Sequence, residues 1–216
     1  MERPHPCGRF ARILRALVLM TRLPHANLGW HSRGYLPHFD GGELAQFITF
    51  RLHDALPQSA IVRWREELKS EKPGFTESIM RRRVEAYLDQ GHGNCYLRDS
   101  RVAMIVESAF LFHDKTKYRL AAWTIMPNHV HLLCTPCAGH GLAEIMHSLK
   151  SYTSNEANKI LSRKGRFWQK EYFDRYVRNL RHYSKILAYI ENNPVKARLC
   201  EKAEEWPFGS ARFRKS

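Results

Sequence analysis

No run of apolar residues in this chain comes near the ~20 needed to cross a bilayer. The longest near the N-terminus, Ala16-Leu17-Val18-Leu19-Met20, lies between Arg15 and Arg22. It is also shorter than the ~7–15-residue apolar stretch of a signal peptide, and no small-residue cleavage site follows. A cytoplasmic protein is therefore expected, with its five cysteines as free thiols. Residues 1–19 can equally be an upstream extension, with the functional chain starting at Met20. Acidic residues are scarce: 21 Asp and Glu face 35 Lys and Arg, a formal charge of +14. That excess predicts a polyanionic partner, nucleic acid before a membrane surface, since the latter needs a basic amphipathic helix with exposed bulky residues. Repeats and low-complexity tracts are absent. An apolar share of 44% over 216 residues is enough for a real core.

The stretch through Asp40 is rich in Arg, His, Pro and Gly without periodicity and reads as an arm or loop. Ala45–Leu52 is β-branched and aromatic, a strand. Helical patterns cover Ser59–Leu68, Thr76–Leu88 and Ser100–Phe112. Tyr118–Met126 and Val130–Leu133 form a hairpin around Pro127-Asn128. A helix over Leu142–Leu161 follows, and another from Leu180 to Asn192 is ended by Pro194, which disfavours helical geometry before it. Strands neighbouring in sequence among helices predict an α+β fold with an antiparallel sheet. Residues 160–216 carry 14 Lys/Arg against 6 Asp/Glu, so the polyanion surface is expected there.

His129-Val130-His131 opens the second hairpin strand. Side chains two apart on a strand share a face, about 6–7 Å apart along the backbone, so the two imidazoles can converge on one ion. Two histidines can also simply cap a core edge. Val130 and Leu132 would face the core and leave the histidines on the face available for chemistry. Cys134 and Cys137 raise a rival, a zinc site with His129 and His131, which would need the chain to fold back within Cys134-Thr135-Pro136-Cys137. The nucleobase-deaminase signature is incomplete, because no Glu stands at the required place.

Tyr189 and Asn193 are four residues apart on a helical pattern and share a face. A phenol becomes a nucleophile where its proton can be removed beside an activated electrophile, and the Asn193 carbonyl suits a hard cation. Taken singly, a core tyrosine and a helix-capping asparagine explain the same residues.

Together these pieces resemble the HUH single-tyrosine transposases, and within them the REP-associated tyrosine transposases. The resemblance is carried by Trp123–Leu133, by Gly165-Arg166-Phe167-Trp168-Gln169 with Tyr172-Phe173-Asp174-Arg175, and by Tyr189-Ile190-Glu191-Asn192-Asn193-Pro194-Val195-Lys196-Ala197. Arg33–Asp40 is similar to some members. Trp206-Pro207-Phe208-Gly209-Ser210 resembles the C-terminal motif, with Gly209 where Ser is usual. The similarity spans Gly29 to Ser210. It implies a ferredoxin-like sheet with the His-x-His pair on a central strand and the tyrosine on a C-terminal helix. It implies Mg²⁺ or Mn²⁺ at His129 and His131, completed by Asn193 where many relatives have Gln. It also implies Tyr189 as the nucleophile that cuts single-stranded hairpin DNA through a 5′-phosphotyrosine link; a monomer or homodimer with no membrane partner is expected. A catalytically idle hairpin binder and a zinc-stabilised nucleic-acid-binding domain are the alternatives. The chain divides into an arm (1–28), the transposase domain (29–199) and a basic tail (200–216). Arg163, Lys164, Arg166, Lys170, Arg175 and Arg178 offer cations for phosphates, with Trp168 to stack on a base.

Overall fold

A computed structural model of the protein describes residues 29–32, 37–40, 42–70 and 73–214. Met20 and the stretch Arg33–Leu36 lie outside the described residues. Strands β1 (Gly29–Ser32) and β2 (Pro37–Asp40) pair antiparallel as a hairpin, where the sequence suggested arm or loop. Their four residues each are too few for alternation to show.

The main sheet holds β3 (Gln46–Arg51), β4 (Tyr118–Ile125), β5 (His129–Pro136) and β6 (Phe173–Tyr176), all antiparallel, in the order β4-β5-β3-β6. Helices α1 (Gln58–Glu67), α2 (Pro73–Asp89) and α3 (Ser100–Phe112) fall between β3 and β4. Helix α4 (Leu142–Ile160) connects β5 to β6, and α5 (Leu180–Lys196) follows. Counted from β3, this is the βαββαβ order of the ferredoxin-like fold, with β3 and β5 central. The α+β expectation holds, and β5 carries the histidines.

The period of two on the strands divides the core. Ile48, Phe50, Val130, Leu132, Trp123 and Ile125 pack on one face under residues of α1, α3 and α4. Phe47, Ala122 and Leu133 form a smaller cluster on the other face with Ile186 and Ile190 of α5. So the face that carries His129 and His131 is not open. Helix α5 roofs it, and both histidines are 1% exposed.

Helix α5 is capped by Asn179, whose side chain accepts from the His182 N–H at 2.8 Å. Contrary to the expected stop at Asn192, the helix runs through Pro194 to Lys196. Proline removes only the bond to Ile190 O. The turn is closed beyond it by Ala197 N–H to Asn193 O and Leu199 N–H to Pro194 O, both 2.9 Å. Packing on β4 and β5 supports the rest.

Residues after 199, read as a basic tail, lie against the β4 edge as far as the described chain runs. Ile125 N–H donates to Phe208 O at 2.9 Å, and Trp206 Nε1 donates to Ile125 O at 3.1 Å. Ser210 Oγ donates to Glu191 at 2.8 Å, and Arg212 pairs with Glu107 at 2.6 Å. An edge strand covered in this way is closed to pairing with another chain. Among the described residues, no helix is long and apolar enough to cross a membrane.

Candidate active site

His129 and His131 point their Nε2 atoms at each other, 3.1 Å apart. Adjacent ligands on an octahedral ion with ~2.1 Å bonds stand about 3.0 Å apart, so the pair has the spacing of two neighbouring ligands of one ion. The outer nitrogens are held as firmly. His129 Nδ1 meets Asn128 Oδ1 at 2.7 Å, while Asn128 Nδ2 donates to His92 O at 2.9 Å. That second bond orients the amide, so the network assigns the proton to His129 Nδ1 and leaves a lone pair on Nε2. His131 Nδ1 lies 2.8 Å from Thr49 Oγ1, which sits opposite it on β3. A hydroxyl both donates and accepts, so Thr49 can serve either tautomer of His131.

Burial pushes His129 down to about 3, helped by the nearby Lys196 and Arg51 charges. Burial, His129 and Lys196 drive His131 well below the ordinary imidazole range. Both rings are thus neutral at physiological pH, the form that binds metal.

Helix α5 brings Tyr189 over this pair, its ring centroid 5.2 Å from that of His131 and 5.8 Å from Phe47. Phe47 also stacks on His131 at 5.7 Å. The Tyr189 hydroxyl is buried and makes no close hydrogen bond, with Glu85 and Asn193 as polar neighbours, and both side-chain polar atoms of Asn193, which is 1% exposed, are likewise without a close partner. Burial, then Glu85 and Asp89, raise the phenol above its usual pKa, while Arg81 and Asn193 oppose the shift. Lys196, seven residues beyond Tyr189, places Nζ 5.9 Å from the tyrosine ring and 2.8 Å from Asp89 Oδ2. The residues implied for a divalent ion fit one: two lone pairs at ligand spacing, and on α5, one turn beyond Tyr189, an amide whose buried oxygen lacks a donor. No group of three or more His, Cys, Asp or Glu among the described residues is placed to hold a metal, and Asn193 is the third donor that the resemblance implies.

The rival zinc site is excluded by strand parity. Strand β5 runs straight through Cys134 to Pro136, and Cys134 is fully buried with Val130 and Leu132 on the face away from the histidines. Burial pushes its thiol up to about 12.

The basic residues named from the sequence are placed unequally. Lys164, Arg166 and Lys170 are exposed on the α4–β6 connection and Arg178 just after β6. Arg175 faces Phe47 across β3–β6, which puts it on the sheet face that carries the histidines. Arg163 is partly committed: it donates to Asn158 Oδ1 at 2.9 Å and lies 4.7 Å from the Tyr96 ring. Trp168 corrects the expectation of a stacking platform. It is 4% exposed, donates to Thr153 Oγ1 at 2.9 Å, and has Phe50 4.7 Å and Phe167 4.8 Å away.

Sequence reading missed Asn128, Thr49, Asp89 and Lys196 as site residues. Asn128 stood as a turn residue, and its tie to His92 depends on a close approach. The Cβ of any residue at Gly93 would lie 2.9 Å from Asp54 O, at φ +84°. Only glycine lets the 90–95 loop lie where His92 O can reach Asn128.

Comparison with known proteins bears on the segment that builds this site. The family described as "Transposase IS200 like" matches residues 100–193. A REP-associated tyrosine transposase of Escherichia coli strain K12 is 23% identical over 94 residues, 43% of this chain and about half, 54%, of that protein. A solved structure of a REP-associated tyrosine transposase bound to a REP hairpin is 16% identical, with a TM-score of 0.49 over 86% of this chain and 84% of that one. That looser likeness carries no argument about the site. Residues 100–193, which hold both histidines, Tyr189 and Asn193, are the part of the chain that is similar to the IS200-like transposase family.

Proposed function

We propose that this protein is a metal-dependent, single-tyrosine DNA strand transferase that cuts single-stranded DNA folded as a hairpin. The carrying observation is the convergence of the His129 and His131 Nε2 atoms, 3.1 Å apart, beneath a buried and unpartnered Tyr189 hydroxyl. The hairpin substrate follows from the family resemblance and from the relative's association with REP elements. The +14 charge supports a nucleic-acid partner independently, and action on chromosomal DNA implies a cytoplasmic protein.

His129, His131 and Asn193 would hold Mg²⁺ or Mn²⁺, which when bound stabilises negative charge building on a phosphate oxygen. Tyr189 Oη attacks the scissile phosphorus; the new Oη–P bond replaces the P–O3′ bond, the phenol loses its proton and the departing 3′ oxygen gains one. One phosphodiester is exchanged for another, so rejoining needs no nucleotide cofactor. Asn128 and Thr49 keep the imidazoles aimed. Phe47 and the α5 roof exclude water, which disfavours hydrolysis of the phosphotyrosine. Lys164, Arg166, Lys170, Arg175 and Arg178 would meet phosphates along the strand, with Arg163 bracing their loop.

The test is incubation of the full chain, Mn²⁺ and labelled single-stranded hairpins from the host chromosome, followed by denaturing electrophoresis. A covalent adduct lost in Tyr189→Phe is expected. An adduct that persists in that variant refutes the nucleophile, and hairpin binding with no adduct favours an idle binder.

A further inference from the structure

We propose that Asp89, brought in by α2 from outside the matched segment, is a further oxygen ligand of the cation assigned to His129 and His131, with the Lys196 ammonium as its counter-charge. This rests on the metal reading of that site and adds a donor to it.

Asp89 is the last residue of α2, and its side chain is 12% exposed. Its two oxygens have different surroundings. Oδ2 accepts from Lys196 Nζ at 2.8 Å. Oδ1 is buried, has no hydrogen-bond partner, and lies 4.0 Å from His129 Nε2. A carboxylate oxygen left bare in this way is costly unless something meets it. Opposite ligands on an octahedral ion with ~2.1 Å bonds are about 4.2 Å apart, so the 4.0 Å between Asp89 Oδ1 and His129 Nε2 suits two ligands of one ion.

Charge points the same way. Two neutral imidazoles and the Asn193 amide bring no negative charge, and Lys196 and Arg51 lie close enough to depress His129. A hard divalent ion placed among these groups alone would meet net positive surroundings. Asp89 is the carboxylate in contact range of His129, and hard ions prefer such oxygens.

The pairing with Lys196 accounts for the absence of a ready-made cluster of acidic and imidazole ligands among the described residues. The ammonium draws one carboxylate oxygen toward itself and so competes with the metal for the same group. Its side chain is 55% exposed, so it can swing toward solvent or an incoming phosphate once the cation takes its place.

The experiment titrates Mn²⁺ alone into the full chain, without DNA, and reads free Mn²⁺ by electron paramagnetic resonance. His131→Ala and Lys196→Met accompany Asp89→Asn, and thermal melts check folding. Asp89→Asn is expected to weaken binding by roughly tenfold or more. Lys196→Met is expected to tighten it by roughly threefold or more. The opposite signs decide the matter. A carboxylate that only anchors Lys196 would leave Asp89→Asn close to the parent in Mn²⁺ affinity, with both variants losing the same ion pair and melting lower. Asp89→Asn within twofold of the parent protein, or Lys196→Met that weakens binding, overturns the proposal. Should Asp89→Asn fail to fold, the double variant Asp89→Asn with Lys196→Met, which leaves no unpaired charge, decides: weaker Mn²⁺ binding than Lys196→Met alone supports the proposal, and equal binding overturns it. A parent protein that binds no Mn²⁺, or one matched by His131→Ala, refutes the underlying metal reading instead.

Discussion

Replacing Asn128 by alanine tests whether the site is aimed by its outer partners. Asn128 is fully buried and makes two bonds that no other side chain replaces. It accepts from His129 Nδ1 at 2.7 Å and donates to His92 O at 2.9 Å. Truncation leaves one buried donor, His129 Nδ1–H, and one half-buried acceptor, His92 O, unpaired. At ~1–3 kcal/mol for the buried donor and less for the half-buried acceptor, the loss is roughly 2–4 kcal/mol, a large share of a typical stability of ~5–15 kcal/mol. With ~2–4 °C per kcal/mol for a chain of this length, Tm should fall by roughly 10 °C.

The effect on the site is separate and is read in protein that is still folded. Without Asn128, nothing fixes the proton on His129 Nδ1, and the tautomer with Nε2 protonated cannot bind metal. Loss of such an outer partner weakens metal binding by ~10–100-fold. Urea unfolding gives the stability change, and Mn²⁺ titration below the transition gives the affinity. The reasoning fails if Asn128→Ala binds Mn²⁺ within twofold of the parent while His129→Ala abolishes binding. Asn128→Asp separates the two bonds: it keeps an acceptor for His129 but turns a carboxylate oxygen toward His92 O, so folding should suffer more than ligation.

Gly93→Ala should destabilise by roughly 1–3 kcal/mol, since it combines φ +84° with a Cβ 2.9 Å from Asp54 O; a urea midpoint unchanged from the parent counts against the described loop. Tyr189→Phe should abolish the adduct yet raise Tm by about 2–4 °C, because it deletes a buried hydroxyl with no partner. A drop in Tm instead would mean the hydroxyl is satisfied. A thiol reagent at pH 8 should label the partly exposed Cys137 and Cys200 before Cys134, whose thiol burial raises to about 12; mass mapping that finds Cys134 labelled first contradicts its place in the core. Lys164→Ala with Arg166→Ala should flatten the salt dependence of hairpin binding by about one unit for each phosphate that is no longer neutralised. Trp168→Phe should leave hairpin affinity unchanged while lowering stability, and a selective loss of affinity would restore the tryptophan as a stacking platform.

The parts of the fold legible in the sequence are those written in short-range patterns. The period of two assigned Val130 and Leu132 to the core and set His129 and His131 on the other face, and the helix limits came within a few residues for most elements. Contacts across long separations were not legible. The histidine face looked open because its cover, α5, begins about fifty residues later, and nothing in His-Val-His announces a roof. Strand β6 is four residues of mixed charge and aromatics, too short for alternation to register, and its pairing with β3 makes it a strand. Trp168 sat among cations, so local composition suggested DNA, whereas the bond to Thr153 fifteen residues earlier fixes it in the core. Asp89 and Lys196 are single charges 107 residues apart, and only tertiary structure sets them side by side.

Pro194 shows how sequence rules fail where a site is being built. The rule that proline ends a helix rests on a lost hydrogen bond and a clash with the preceding turn, of order 3 kcal/mol in a helix interior. Had it held at Asn192, Tyr189 would keep its place but Asn193 and Lys196 would leave the helix face they share with it. Carrying the helix on to Lys196 keeps Tyr189, Asn193 and Lys196 in register at i, i+4 and i+7, over the histidines and beside Asp89. The same wall concentrates unsatisfied groups: the Tyr189 hydroxyl, the Asn193 amide and Asp89 Oδ1 are all buried without partners. The larger core on the opposite face, where side chains from Ile48 to Trp168 interlock, offsets that strain. Local penalties gathered on one side of a sheet, with stability supplied from the other, are what a chain shows when those groups are kept for a ligand.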